Sequence, residues 1–309
     1  MIKVIIKVIS LNVYNFFYYW VGLFILFLNK IRHLVFGYTN PRTFPVTDFK
    51  TAIEYDFKVV DHWIEILEKY TRVKSNFKDK SILELGPGAD LGVGLIILSK
   101  GAKKYTAIDV NNLVEQTPTQ FYEEFFEYMN HNNKHKEVNV SFLCSQLKLT
   151  ILGKGDKLNY ICRRDFDITS IKEEDVDLVF SQAAFEHFDD VGKAISQLSQ
   201  IVKSGTILIT EVDLKTHTRW IRDLDPLNIY RYSDFIYSAF KFSGSPNRLR
   251  PSEYQQFLEK NGWSKTEIIP LTKLNKKYLT KIERSLYKRF REPDNNMDYL
   301  TIMICATKK

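Results

Sequence analysis

The sequence predicts an α/β fold: a doubly wound, seven-stranded, mostly parallel sheet with helices on both faces, preceded by an N-terminal apolar helix. Two observations carry this. From about residue 55 onward, short apolar runs alternate with helical patterns, the arrangement of βαβ units in a parallel sheet. The first of these units, "SILELGPGADLGVGLIILSKGAKKYTAIDV" at 81–110, reads as strand, glycine turn, helix, strand and acid. With 309 residues, 44% hydrophobic and 26% charged, the chain can bury a sizeable core.

The leader comes first. Residues 8–29, "VISLNVYNFFYYWVGLFILFLN", carry no charge, and as a helix they rise roughly 33 Å against a hydrocarbon core of roughly 30 Å. The length permits spanning. Tyr18, Tyr19 and Trp20 fall in mid-segment and Ser10, Asn12 and Asn15 weaken the first half, so an interfacial helix, or one packed on the protein itself, stays open beside it. No small-residue cleavage site follows, which argues against a cleaved signal peptide. If residues 1–38 span, Lys30, Arg32 and Arg42 outweigh Lys3 and Lys7 and place the body on the cytoplasmic side.

Proline and glycine in "FGYTNPRTFP" mark a linker, taken as 39–54, before a body at 55–309. In the body Phe57, Val60, Trp63, Ile64, Leu67 and Tyr70 recur at helical spacing. Strands follow near 81–85, 104–109, 158–163, 176–181, 205–212, 264–270 and 299–307. Helices are expected near 91–100, 118–130, 189–202, 252–261 and 274–290, and the last strand is a candidate for the antiparallel one. Two segments, 111–157 and 213–250, exceed what such a fold needs and are expected at its ligand edge.

Charge excludes one class of partner. The net charge of +7 is concentrated at 1–50, with +5, and at 273–291, with +7, which leaves the rest near −5. An enzyme of nucleic acids carries its basic charge around its site. Two basic clusters beside an apolar leader suit an anionic membrane surface instead. Cys144, Cys162 and Cys305 are odd in number and form no CxxC, so neither a disulfide framework nor a zinc site is expected.

In an open α/β sheet the ligand sits outside the carboxyl ends of the strands. There, Gly86 and Gly88 free the backbone for a sharp turn and a close approach. Asp109, 21 residues beyond Gly88, is placed to accept from both hydroxyls of a ribose. Dinucleotide enzymes use GxGxxG at this point; here the third glycine is Leu91, Pro87 removes a backbone donor, and Glu84 brings an acid near the turn. A pyrophosphate is poorly served by that set. A nucleoside cofactor with no phosphate and a cationic amino-acid portion fits it.

These residues resemble the class I S-adenosylmethionine-dependent methyltransferases, a Rossmann-like family. "ILELGPG" resembles its first motif and "AIDV" its ribose-binding second. "RRDFDIT" is similar to the third, which implies that Asp165 and Phe166 meet the adenine, with Asp167 as the alternative acid. "VDLVFSQAAFEHFDD" resembles the fourth-strand motif of the type 11 members and implies that Ser181 lies at the cofactor. "LSQIVKSGTILI" matches the following turn, with Ser204-Gly205 in place of the usual double glycine. The resemblance covers about 55–212 closely and the tail to 309 loosely. It implies S-adenosyl-L-methionine as cofactor and methyl transfer as the reaction.

The acceptor is less legible. Ser181-Gln182-Ala183-Ala184 replaces the Asn/Asp-Pro-Pro-aromatic motif of amino methylation, which favours an oxygen acceptor on a small molecule, a sugar or glycan, or a lipid-linked intermediate. His187 and His217 stand past the fourth and fifth strands as candidate general bases; orientation, capping or loop bonding is the plain alternative. Arg219, Arg222, Arg231, Arg248 and Arg250, interleaved with aromatics, suit an anionic or sugar acceptor, although nearby acids could pair with them. No catechol-type metal site is recognisable, and no metal is predicted. A binding scaffold without catalysis and an NAD-dependent oxidoreductase are the rival readings.

Overall fold

A computed structural model describes residues 2–37, 48–131, 139–171 and 175–309, without the side chains of residues 2–10 and Arg219. Most of the expected linker, and 132–138 of the first insertion, lie outside the described residues.

Seven strands form one sheet: β1 (Ser81–Leu85), β2 (Lys104–Asp109), β3 (Leu158–Cys162), β4 (Leu178–Gln182), β5 (Ile207–Asp213), β6 (Trp263–Lys273) and β7 (Tyr299–Lys308). Their order is β3-β2-β1-β4-β5-β7-β6. The first five are mutually parallel, and β7 runs antiparallel between β5 and β6. Strand order reverses between β1 and β4, so the switch point lies at the glycine turn that ends β1. Strands β1 and β4 are buried on both faces, as expected of central parallel strands.

Ten α-helices complete the described chain, beginning with α1 (Ile2–Phe36). One sheet face carries α2 (Phe49–Thr71), α3 (Gly92–Ser99), α4 (Thr119–His131) and α5 (Val140–Ile151). On α2 the spacing of Phe57, Val60, Trp63 and Leu67 buries one stripe, and Trp63 stacks on Phe180 of β4 at 4.5 Å. Asp48 caps its start by accepting from the Thr51 amide. The other face carries α6 (Val191–Ile201) and α9 (Pro251–Lys260) around Phe185, Tyr254 and Trp263. Between β5 and α9 lie α7 (Arg219–Arg222) and α8 (Asp234–Phe240), and α10 (Lys276–Ile282) follows β6.

Two expectations are corrected. The first insertion is not a ligand-edge loop throughout: α4 and α5 pack into the sheet-face core through Phe121, Phe125, Leu143 and Leu147. The helix expected over 274–290 stops at Ile282 and gives way to single helical turns. There the chain bonds elsewhere, with the Tyr287 amide donating to Tyr230 and the Arg291 guanidinium to the carbonyls of Arg284 and Leu286. Ile282, Leu286 and Phe290 of this segment are buried and join Leu227, Tyr230 and Tyr232 in a third core.

Helix α1 lies lengthwise against that third core. Its bonds to the body start at Tyr14, whose ring holds Lys281 over its face. They continue through Asn15 to the Lys281 carbonyl and Asn29 to Thr218, and reach Lys30 on the Ala239 carbonyl. Asn228 and Tyr232 donate back to the Tyr18 and Tyr19 carbonyls at 2.9 and 3.0 Å. Gly22 permits the contact: a Cβ there would sit 2.0 Å from Asn228 Oδ1. The opposite face exposes Val13, Phe16, Phe17, Trp20, Phe24 and Leu34. Among the described residues one helix, Leu11–Phe36, is long and apolar enough to cross a membrane.

Candidate active site

The carboxyl ends of β1, β2, β4 and β5 meet at one edge of the sheet. Gly86 and Gly88 both have positive φ, 76° and 82°, where a β-carbon is strained. A Cβ on Gly86 would come 2.6 Å from that of Ala184, whereas one on Gly88 would meet nothing within 4 Å. The turn therefore closes on the β4 loop behind Gly86 and leaves free space before Gly88. Asp109 ends β2 beside that space. Its Oδ1 accepts from the Asn111 amide at 3.0 Å and its Oδ2, at 3.4 Å, from Gly88. A carboxylate accepts about four bonds, so beside these backbone donors it keeps accepting capacity for a ribose hydroxyl. Burial pushes the Asp109 pKa upward.

Other residues of the expected cofactor set take different places. Glu84 is buried in the sheet, bonded to the Tyr105 hydroxyl, and desolvation raises its pKa to about 8. It is a neutral acid of the core at pH 7, and the expectation of a carboxylate presented to a cationic ligand is corrected. Gly94 makes the room, because a Cβ there would stand 2.5 Å from the Tyr105 ring. Ser181 is also interior, its hydroxyl donating to the Leu85 carbonyl at 2.8 Å, which ties β4 to β1. Asp165 is held by Arg163 in a two-pronged pair, which lowers its pKa to about 2, and Phe166 packs on Phe188 at 4.8 Å. Its rival Asp167 caps the next turn by accepting from the Thr169 amide. Asp165 is left as the exposed acid of the pair.

Past β4 and β5 a second cluster forms. His187 donates from Nδ1 to the Gly244 carbonyl at 2.6 Å, and its ring lies 4.8 Å from that of His217. Burial lowers both histidine pKa values, that of His217 well below the ordinary range, so both rings are neutral at pH 7. Glu186, buried between them and Asp213, accepts the Asp213 amide on Oε1 at 3.2 Å. Its pKa is driven far upward by desolvation. The sequence signal for this acid is its place beside His187 in the EH dipeptide that follows β4. Asn247 was missed: it ties the insertion to the β4 loop through the Glu186 and Phe185 carbonyls.

The arginines are mostly not at this edge. Arg231 is fully buried on Asp225, Arg248 bonds Asp234 and two carbonyls, and Arg250 holds the carbonyls of Asn295, Asn296 and Tyr299. Their guanidinium groups are engaged by other protein groups, in the insertion and in the segment before β7, which corrects their reading as acceptor contacts. Arg222 is nearer, paired with Asp213 at 2.5 Å and partly exposed. The side chain of Arg219 lies outside the described residues.

The comparisons bear on this arrangement. No curated protein matches the chain. Among solved structures it is similar to the CurJ carbon methyltransferase, at 14% identity over 93% of this chain and 65% of that one, with a TM-score of 0.46. It is similar to an S-adenosylmethionine dependent methyltransferase from Mesorhizobium loti, at 10% identity over 76% and 93% with a TM-score of 0.41. A third is phosphoethanolamine N-methyltransferase 2 from Haemonchus contortus in complex with S-adenosyl-L-methionine, at 14% identity over 88% and 60% with a TM-score of 0.43. The chain spans less than two thirds of the first and third. A family model described as a methyltransferase domain matches residues 54–268, from within α2 to the middle of β6. The chain belongs to this methyltransferase domain family.

Proposed function

We propose that the chain is an S-adenosylmethionine-dependent methyltransferase that lies on a membrane surface and methylates an oxygen of an acceptor presented there. S-adenosylmethionine, when bound, supplies an electrophilic methyl group. Gly88 offers an open approach, and Asp109 holds a ribose hydroxyl while braced by backbone amides. Asp165 and Phe166 border the adenine. His187 and His217 orient the acceptor atom at the ends of β4 and β5. A water-excluding site follows from the insertion folding over that edge, anchored by Asn247.

The observation that carries the membrane part is how α1 docks. Its contacts run from Tyr14 to Lys30, roughly 24 Å of helix, along an insertion containing the buried ion pair Arg231–Asp225. A helix tied sideways to such a body lies in an interface, with its apolar face in the acyl boundary. Trp220, Leu224 and Phe235 of the insertion are exposed as well, and Leu224 accepts from Tyr14 of α1. Asn29 of α1 bonds Thr218, the neighbour of His217, so the membrane helix and the acceptor edge are one residue apart. The acceptor class that suits this layout is amphipathic, with a hydroxyl-bearing head and an apolar tail.

Methyl-labelled S-adenosylmethionine, full-length protein and a membrane extract test the reading. Label entering the lipid-extractable fraction, and lost with Asp109→Ala, supports it. Label confined to water-soluble products would remove the membrane acceptor and keep the methyltransferase.

A further inference from the structure

We infer that Glu186, His187 and His217 form a divalent transition-metal site at the acceptor edge. One ligand atom from each lies within 4.8 Å of the others. The donor set is two imidazole nitrogens and one carboxylate oxygen, which suits zinc, iron or cobalt and leaves coordination positions open.

The second observation is what each donor atom lacks. Glu186 is 2% exposed; its Oε1 takes the Asp213 amide, and its Oε2 is buried with no hydrogen-bond partner. His217 Nε2 is likewise buried without a partner. An orphaned carboxylate oxygen in the interior is costly, and here it stands beside an orphaned imidazole nitrogen. Both histidines have the outer support that metal-bound imidazoles show. A carbonyl only accepts, so the bond from His187 to Gly244 puts the proton on Nδ1 and leaves Nε2 a bare lone pair. The His217 ring is held in the same manner by the Asp213 backbone.

An ion at about 2.0–2.2 Å from three such atoms holds them roughly 3.3 Å apart, so modest side-chain rotation closes the cluster. Other charges facing it are Asp213 Oδ2, 3.8 Å from His217 Nε2, and the Arg222 and Lys215 groups already paired with that carboxylate. Asp213 is a ready fourth oxygen or an outer partner. Sequence gave no spacing signal, because Glu186 and His187 follow β4 while His217 follows β5 and only the parallel pairing joins them.

Its role rests on the proposed methyl transfer. A hydroxyl of the acceptor in an open coordination position has its pKa lowered by the ion, releases its proton to water and is held as the metal-bound oxygen. A neutral methyl acceptor gains a nucleophile this way without a strongly basic side chain.

The test is titration of the metal-free, full-length protein with Co(II), read by visible absorption, with Zn(II) competition, and with S-adenosylhomocysteine binding measured by calorimetry on the same samples. One Co(II) per chain, with the bands of nitrogen and oxygen ligation and displacement by Zn(II), is expected. His217→Gln and Glu186→Gln should weaken the ion by at least about 100-fold and leave S-adenosylhomocysteine binding unchanged. A folded wild-type protein that binds S-adenosylhomocysteine but takes up no Co(II) overturns the site without reference to any variant. Equal Co(II) binding in folded variants overturns it too. Loss of S-adenosylhomocysteine binding by wild type with Co(II) retained would instead remove the methyltransferase reading.

Discussion

Glu84 shows how far a single residue can depart from its motif. The acid is legible in "LELGPG", but its direction is set by the pleat of β1 and by Gly94, which lets the Tyr105 ring cross over α3. Its folded pKa of about 8 lies above the unfolded value near 4.5. The group therefore stabilises the fold fully below about pH 4.5, and that contribution is lost as pH rises through 8. Glu84→Gln keeps a partner for Tyr105 and cannot ionise, so its melting temperature should change less between pH 5 and pH 9 than that of the wild type. Equal slopes would mean that Glu84 is charged in the fold. Arg231 makes the opposite lesson about charge. Sequence offered it to an acceptor, yet neither it nor Asp225 has exposed side-chain surface. Arg231→Met leaves a buried carboxylate unpaired and should cost about 3–5 kcal/mol in urea unfolding. An acceptor ligand would instead raise KM with stability unchanged.

Among the elements, the strands and the helices joining them follow directly from their apolar runs and glycine turns, because β1, β2, β4 and β5 are buried on both faces and carry little else. The elements that deviate are those whose partners are distant in sequence. Residues 274–290 have the stripe of a helix, but Arg231 holds the Ser285 hydroxyl and the Tyr287 amide pairs with Tyr230, so tertiary bonds interrupt it. Packing of α1 on the protein itself was one of the open readings, but its contact face was not legible: Asn15 read as a weak point of a spanning helix, and with Gly22 and Asn29 it forms that face. Gly22→Ala places a methyl against Asn228 and should cost about 1–3 kcal/mol by overpacking. Faster hydrogen exchange across residues 14–30 is the expected readout, and unchanged exchange would mean that α1 is not held there.

At the scale of the whole molecule, charge and apolar surface combine on one side. Lys281 sits against Tyr14 of α1, and α1 and the insertion, which bond each other through Tyr14 and Leu224, both expose large apolar side chains. The protein should bind vesicles containing anionic lipid more tightly than neutral ones, less so at high salt. Changing Phe16, Trp20 and Phe24 together to Glu should reduce that binding by at least about 10-fold, since each buried aromatic contributes more than about 1 kcal/mol. Carbonate should release the wild type from membranes, and retention would favour a spanning helix. The fold, the glycine turn and Asp109 were readable because local chemistry dictates them; the neutral acids and the histidine cluster were not, because burial creates them. The most direct measurement is calorimetric titration of the full-length protein with S-adenosylhomocysteine beside Asp109→Ala. One site per chain, weakened about 10- to 100-fold in the variant as charged hydrogen bonds are lost, is the predicted result. No binding by folded wild type, or equal binding by the variant, would contradict the account.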